Sequence, residues 1–129
     1  MVKTKEPQKI LIVEDEPDMC LVLEMILQKK DVWIDHVEKV SAAEAYVKYA
    51  PPDLIVLDNN LPDGLGVNFI PFVKRFYPKV KIIMISGKEV PVKDLALKYG
   101  ADLFLLKTFS RVTLLRSVEC LLHTSYYLS

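Results

Sequence analysis

The chain has 129 residues, of which 51% are hydrophobic and 26% charged, a balance that suits one folded globular domain and excludes a disordered tail. Its 17 basic and 17 acidic residues cancel, so no global field draws it to nucleic acid or to an anionic membrane, and any partner must be recognised locally. Residues 1–8 read as a polar extension with no signal-peptide core, and no later apolar run reaches membrane-spanning length, so one domain over 1–129 in the cytoplasm is expected.

In chain order, Ile10 to Val13 is predicted to be a buried strand, and it ends on the acidic trio Glu14-Asp15-Glu16. Pro17 suits a first helical turn and opens a helix expected to run to Lys30. Cys20 in that helix and Cys120 near the C-terminus each have apolar neighbours and no metal or redox spacing, so both read as small core hydrophobes. Val32 to Val37 is the second predicted strand, in which Trp33 reads as a packing residue and His36 as structural. The second helix spans Ser41 to Tyr49, with Ser41 and Glu44 spaced as a capping box.

Leu54-Ile55-Val56-Leu57 is apolar at every position, the pattern of a strand covered on both faces, and it ends on Asp58. Gly64-Leu65-Gly66 hints at a phosphate-binding glycine loop but lacks a third glycine at the required spacing, and no Gly-Lys-Ser/Thr appears, so no nucleotide role is assigned. A third helix is expected over Val67 to Phe76 with Pro71 in or near its first turn, because an interior proline removes a hydrogen bond. Lys81 to Ile85 is the fourth strand, followed by Ser86. Val92 to Tyr99 is a helix stopped by Gly100, Leu103 to Leu106 is the fifth strand, followed by Lys107, and Arg111 to His123 is the last helix. His123 reads as structural and Tyr126-Tyr127 as packing residues.

Five strands alternating with five helices predict an α/β fold: a doubly wound, five-stranded parallel sheet with helices on both faces. In such sheets ligands bind beyond the carboxyl ends of the strands. Here those ends carry Glu14 and Asp15, Asp58, Ser86 and Lys107. If the first and third strands are neighbours, three carboxylates converge, repel one another and call for a hard divalent cation such as Mg²⁺. Lys107 would add charge and Ser86 a hydrogen bond for a phosphate, so the set reads as a phosphoryl-transfer site with a carboxylate nucleophile.

Four segments in order carry a family resemblance over nearly the whole chain. These are Ile10 to Pro17, Leu54 to Gly66 with Pro62, Ile82 to Gly87, and Gly100 to Lys107 with Ala101, Asp102 and Phe104. They resemble the receiver domain of two-component response regulators, a CheY-like domain of flavodoxin-like fold. The resemblance implies that Asp58 is the phosphoacceptor, with Lys107 and Ser86 assisting, and that Asp15, Asp58 and the carbonyl of Asn60 bind Mg²⁺ directly while Glu14 reaches it through water. It implies a switch of Ser86 and Phe104, an open approach past Gly87, and a dephosphorylation rate set at Asn60 and Lys88.

The same resemblance implies phosphorelay partners: a sensor histidine kinase or phosphotransfer protein as donor, and a downstream protein or output domain. A phosphorylation-dependent homodimer is left open, and no direct nucleic-acid or membrane binding is expected. Catalysis would be limited to self-catalysed phosphoryl transfer and autodephosphorylation. An alternative is a pseudo-receiver that binds without phosphorylation, against which the intact set Glu14, Asp15, Asp58, Ser86 and Lys107 argues. A flavin- or nucleotide-binding enzyme of the same fold is a second alternative that no residue favours. The chain departs from the family at Thr108, where proline usually follows the lysine in a cis bond. A trans Lys107-Thr108 bond is expected, because a non-proline cis bond costs about 2.5–4 kcal/mol.

Overall fold

The computed structural model describes residues 6–87 and 91–126. Lys88 and Tyr127 lie outside the described residues, as does most of the polar N-terminal extension. Five strands form one sheet: β1 (Gln8–Val13), β2 (Val32–Val37), β3 (Leu54–Asp58), β4 (Lys81–Ser86) and β5 (Leu103–Leu106). Their spatial order is β2-β1-β3-β4-β5, and every pairing is parallel. The helices are α1 (Pro17–Leu27), α2 (Val40–Tyr49), α3 (Ile70–Phe76), α4 (Val92–Tyr99) and α5 (Arg111–Leu122).

The period of two along each strand divides the core into two layers. Ile10, Ile12, Leu54, Val56, Ile83 and Ile85 point to the side covered by α1 and α5, through Leu23, Leu27, Leu114 and Val118. Leu11, Val13, Ile55, Leu57, Ile82 and Met84 point to the opposite side, where Ala43 and Val47 of α2, Ile70 and Val73 of α3, and Ala96 of α4 cover them. Full burial of one such aliphatic side chain stabilises the fold by about 1.5–3 kcal/mol, so the near-continuous apolar runs follow from coverage on both faces. From β1 the chain runs outward to β2 and then crosses to β3 on the other side of β1, and right-handed crossovers force the helices to change face there. That reversal opens a crevice at the carboxyl ends of β1 and β3.

Several boundaries differ from the sequence reading for identifiable reasons. Helix α1 stops at Leu27 rather than Lys30, and Gln28 leaves in an extended conformation, because the polar stretch from Gln28 to Asp31 has no apolar face to bury and must turn the chain into β2. Helix α2 begins at Val40, with no side-chain cap from its own first residues, so Ser41 does not form a capping box. The Asp63 carboxylate instead accepts the Val40 and Ser41 N–H groups at 2.8 and 2.9 Å, reaching them from a loop distant in sequence. The expected third helix divides into a 3-10 turn, Gly66–Phe69, and α3, with Pro71 in the first turn as anticipated.

Gly100 caps α4 with φ +113°, where a Cβ would lie 2.8 Å from Cγ of Lys74, so both conformation and space demand glycine. His123 serves as the left-handed cap of α5. Cys20 is buried as expected, but Cys120 is exposed, because its position on α5 turns away from the sheet. Trp33 is 62% exposed rather than packed, since β2 is an edge strand. Tyr126 does pack, and its hydroxyl donates to the Leu27 carbonyl at 2.7 Å.

Candidate functional site

The crevice gathers residues from four strand ends. Glu14 follows β1 and is 2% exposed, Asp58 ends β3 and is 4% exposed, and Asp15 stands exposed beside them. Carboxylate oxygens of Glu14, Asp15 and Asp58 lie within 4.8 Å of one another. From beyond β5, Lys107 brings its ammonium to 3.0 Å from Asp58 Oδ1 and 3.6 Å from Glu14 Oε1. Its backbone N–H donates to the Ser86 carbonyl at 2.7 Å, which anchors the lysine to the end of β4. Ser86 is itself 1% exposed. All five predicted strand-end residues therefore meet at one end of the sheet.

The electrostatics show what is uncompensated. Burial pushes the Asp58 carboxyl above its ordinary range, and Asp15 adds repulsion, while the Lys107 bond and charge and an N–H from Asn60 work the other way. Glu14 is likewise raised, first by burial and then by Asp58, although the Asp15 and Glu16 N–H groups oppose this. Burial alone would depress the Lys107 ammonium, but the hydrogen bond and charge of Asp58, with Glu14 and Glu16, hold it above its ordinary value. Among the described residues one ammonium thus faces three carboxylates, which leaves excess negative charge in a half-dry crevice. An all-oxygen donor set with surplus charge fits a hard divalent cation that keeps several of its waters, the chemistry of Mg²⁺.

The loop after Asp58 contains residues that the sequence reading passed over. Asn59 is buried, its Oδ1 accepts the Val67 N–H at 3.0 Å, and its carbonyl accepts the Gly66 N–H at 2.8 Å. These bonds fold residues 59–66 back in a two-residue ladder in which Asn60 faces Leu65 and Leu61 faces Gly64. Gly66 then lies against the strand end, where a Cβ would be 2.1 Å from the Asp58 carbonyl oxygen. The only sequence signal was the glycine itself, since the short ladder has no hydrophobic period. Asn60 stands exposed at the start of the ladder, beside the carboxylates.

Phe104 pairs with Met84, and Ser86 with Leu106, so Phe104 and Ser86 share the α2–α4 face of the sheet across adjacent strands. Phe104 packs half-buried against the core on that face. Gly87 is exposed, and a Cβ there would have nothing within 4 Å, which leaves open space beside the strand end. His36 donates from Nε2 to the Glu14 carbonyl at 2.9 Å, a link between β2 and the acidic segment that the sequence did not disclose.

The sequence profile of the response regulator receiver domain matches residues 10–119, which run from within β1 through most of α5. The chain belongs to the response regulator receiver domain family. Among curated proteins, this receiver domain is 34% identical over 101 residues to the response regulator protein PilR of Pseudomonas aeruginosa, covering 78% of the chain and 23% of PilR. It is 33% identical over 100 residues to the KDP operon transcriptional regulatory protein KdpE of Escherichia coli, covering 78% of the chain and 44% of KdpE. The chain thus spans less than half the length of either relative. Among solved structures, the beryllofluoride-activated NtrC4 receiver domain dimer superposes with a TM-score of 0.83 at 34% identity, covering 89% of this chain and 96% of that one. The sheet order and helix placement of the receiver domain are those of a CheY-like fold. Among the described residues no helix is long and apolar enough to cross a membrane.

Proposed function

We propose that this receiver domain takes a phosphoryl group on Asp58 from a histidine kinase or phosphotransfer protein, and that the modified domain engages a protein partner through an altered surface. The observation that carries the reading is the Lys107 ammonium 3.0 Å from a buried Asp58 carboxylate, with Glu14 and Asp15 completing a cation-binding acidic cluster. One of the Asp58 oxygens attacks phosphorus, the bond from phosphorus to the donor breaks, and the donor leaves with the electron pair. Lys107 neutralises charge on the transferred oxygens, and Ser86 supplies a hydrogen bond at the strand end. Asp15, Asp58 and the carbonyl of Asn60 would hold Mg²⁺ directly, and Glu14 through water. When bound, the ion supplies charge stabilisation for the phosphoryl oxygens.

The shared face of Ser86 and Phe104 supports a switch in which the hydroxyl moves toward the phosphoryl group and the ring turns inward. The chain acts in this reading as a single domain over 1–129, and the donor and the downstream protein or output domain are its partners. The dimer of the activated NtrC4 receiver domain supports a second copy of this chain as one partner of the phosphorylated state.

The test is intact mass after incubation with acetyl phosphate and Mg²⁺. Gain of one phosphoryl group by the wild type but not by Asp58→Ala is expected, whereas a gain by Asp58→Ala would overturn the assignment. Calorimetry with Mg²⁺ tests the metal residues, since Asp15→Ala should weaken binding far more than Glu14→Ala.

A further inference from the structure

A second group of ligating side chains lies outside the phosphoacceptor crevice, between α1 and the edge strand β2. Cys20 and Glu24 are four residues apart on α1, which sets them on one helical face, and Cys20 Sγ lies 3.8 Å from Glu24 Oε1. On β2, Val32 and Ile34 pack toward α1, and His36 continues the same alternation. The ligating atoms of Cys20, Glu24 and His36 all fall within 4.8 Å of one another. Bond lengths of about 2.0–2.3 Å in a tetrahedral zinc site place ligand atoms about 3.3–3.8 Å apart, so the Cys20–Glu24 pair already has that spacing, and a ring nitrogen of His36 lies within 4.8 Å of both.

Two further features suit an ion here. The Glu14 carbonyl can only accept, so the His36 Nε2 bonded to it carries the proton, and a neutral ring keeps its lone pair on Nδ1. A ring nitrogen tied to a carbonyl while the other remains a ligand is the usual arrangement of a metal-binding histidine. Cys20 is buried while Glu24 and His36 are partly exposed, which gives the cluster a dry inner side and an open outer one. Burial first, and then the carboxylates of Glu24, Glu14 and Glu38, push the Cys20 thiol up to about 11, and a cation bound among these groups offsets that negative surrounding.

We propose that Cys20, Glu24 and His36 form a binding site for a borderline transition-metal ion of the Zn²⁺ class, separate from the all-oxygen cluster at Asp58. Thiolate and imidazole ligands select such an ion over Mg²⁺, and a water fills the fourth position. Binding replaces the thiol proton of Cys20 by the metal–sulfur bond and releases that proton to solvent. Through His36 the ion would be tied to the backbone of Glu14.

The experiment is titration of the whole chain with Co²⁺ in excess Mg²⁺, reading the sulfur-to-cobalt charge-transfer absorption, with Zn²⁺ competing it away. One equivalent should give the band, Cys20→Ser should abolish it, and Glu24→Gln and His36→Gln should weaken binding at least tenfold. Cys120→Ser and Asp58→Asn should keep it. No band, an unchanged band in Cys20→Ser, or loss of the band in Cys120→Ser or Asp58→Asn would overturn the proposal. Glu24 lies partly exposed, so Glu24→Gln tests the site even where Cys20→Ser fails to fold, and wild-type affinity in that variant counts against it.

Discussion

The Lys107 ammonium stands 3.0 Å from Oδ1 of Asp58, and the two residues are carried by strands that do not touch: β4 lies between β3 and β5. The contact exists because the Lys107 N–H is fixed on the Ser86 carbonyl, which aims the side chain back across β4. Lys107→Ala should therefore slow phosphorylation of Asp58 by roughly 100-fold or more, the scale of losing one preorganised charge-stabilising donor. Time courses of intact mass with acetyl phosphate measure it, and an unchanged rate would remove Lys107 from the reaction.

The raised carboxyl of Asp58 makes stability depend on pH. Its folded value lies above the ordinary 3.8, so the folded state holds its proton longer than the unfolded state and stability falls as pH rises from there through the folded value. Glu14, raised from 4.5, acts in the same direction. Asp58→Asn cannot ionise, so its stability relative to wild type should grow as pH rises above about 3.8 and level off once the folded Asp58 is ionised. Urea unfolding across that window checks it; a constant difference would mean that the buried charge costs nothing.

Gly66→Ala should destabilise the fold by about 1–3 kcal/mol, the usual cost of forcing an atom into filled space, because the new methyl would sit 2.1 Å from the Asp58 carbonyl oxygen. The atom it strikes is backbone and cannot rotate away. Urea midpoints measure the loss, and phosphorylation should slow with it as Asp58 shifts.

Thr108 has φ +70°, a left-handed conformation that is strained for a β-branched residue. The left-handed region costs a non-glycine residue about 1–2 kcal/mol, while glycine gives back about 0.5–1 kcal/mol through its freer unfolded chain. Thr108→Gly should thus be neutral to about 1 kcal/mol more stable. Thr108→Pro, locked near φ −65°, cannot adopt this backbone and should rebuild the loop to Ser110 and change the phosphorylation rate. Chemical denaturation and the mass assay test both variants.

Asp63→Ala should lower the unfolding midpoint by freeing the first N–H groups of α2. Those N–H groups, Ser41 first and Val40 next, hold the Asp63 carboxyl below its ordinary 3.8, so its contribution is present above that value and is lost as pH falls through the folded one. The wild-type advantage should vanish in strong acid; an advantage that persists there would refute the capping role.

Much of the fold could be read directly from residue order. The all-apolar run Leu54 to Leu57 required cover on both faces, and alternation with amphipathic stretches left a parallel doubly wound sheet as the economical solution. Once the strands were placed, the site followed, because Asp58 and Lys107 ended their runs and such sheets bind ligands beyond their carboxyl ends. Strand ends are local in sequence, and the topology rule is general.

What the tertiary structure alone decided involves partners that no local pattern names. Asp63 caps a helix some twenty residues before it, Asn59 closes the loop through Val67 and Gly66, and His36 reaches from the edge strand to the Glu14 carbonyl. A polar group is satisfied by whichever donor or acceptor the packing brings near, and that is fixed only when the hydrophobic layers have set the distances between elements. Exposure follows the same logic: Trp33 and Cys120 have apolar neighbours in sequence, yet one lies on an edge strand and the other on the outer side of α5. Which face of an element meets the core is a property of its neighbours in space, so periodicity places the elements while packing assigns their contacts.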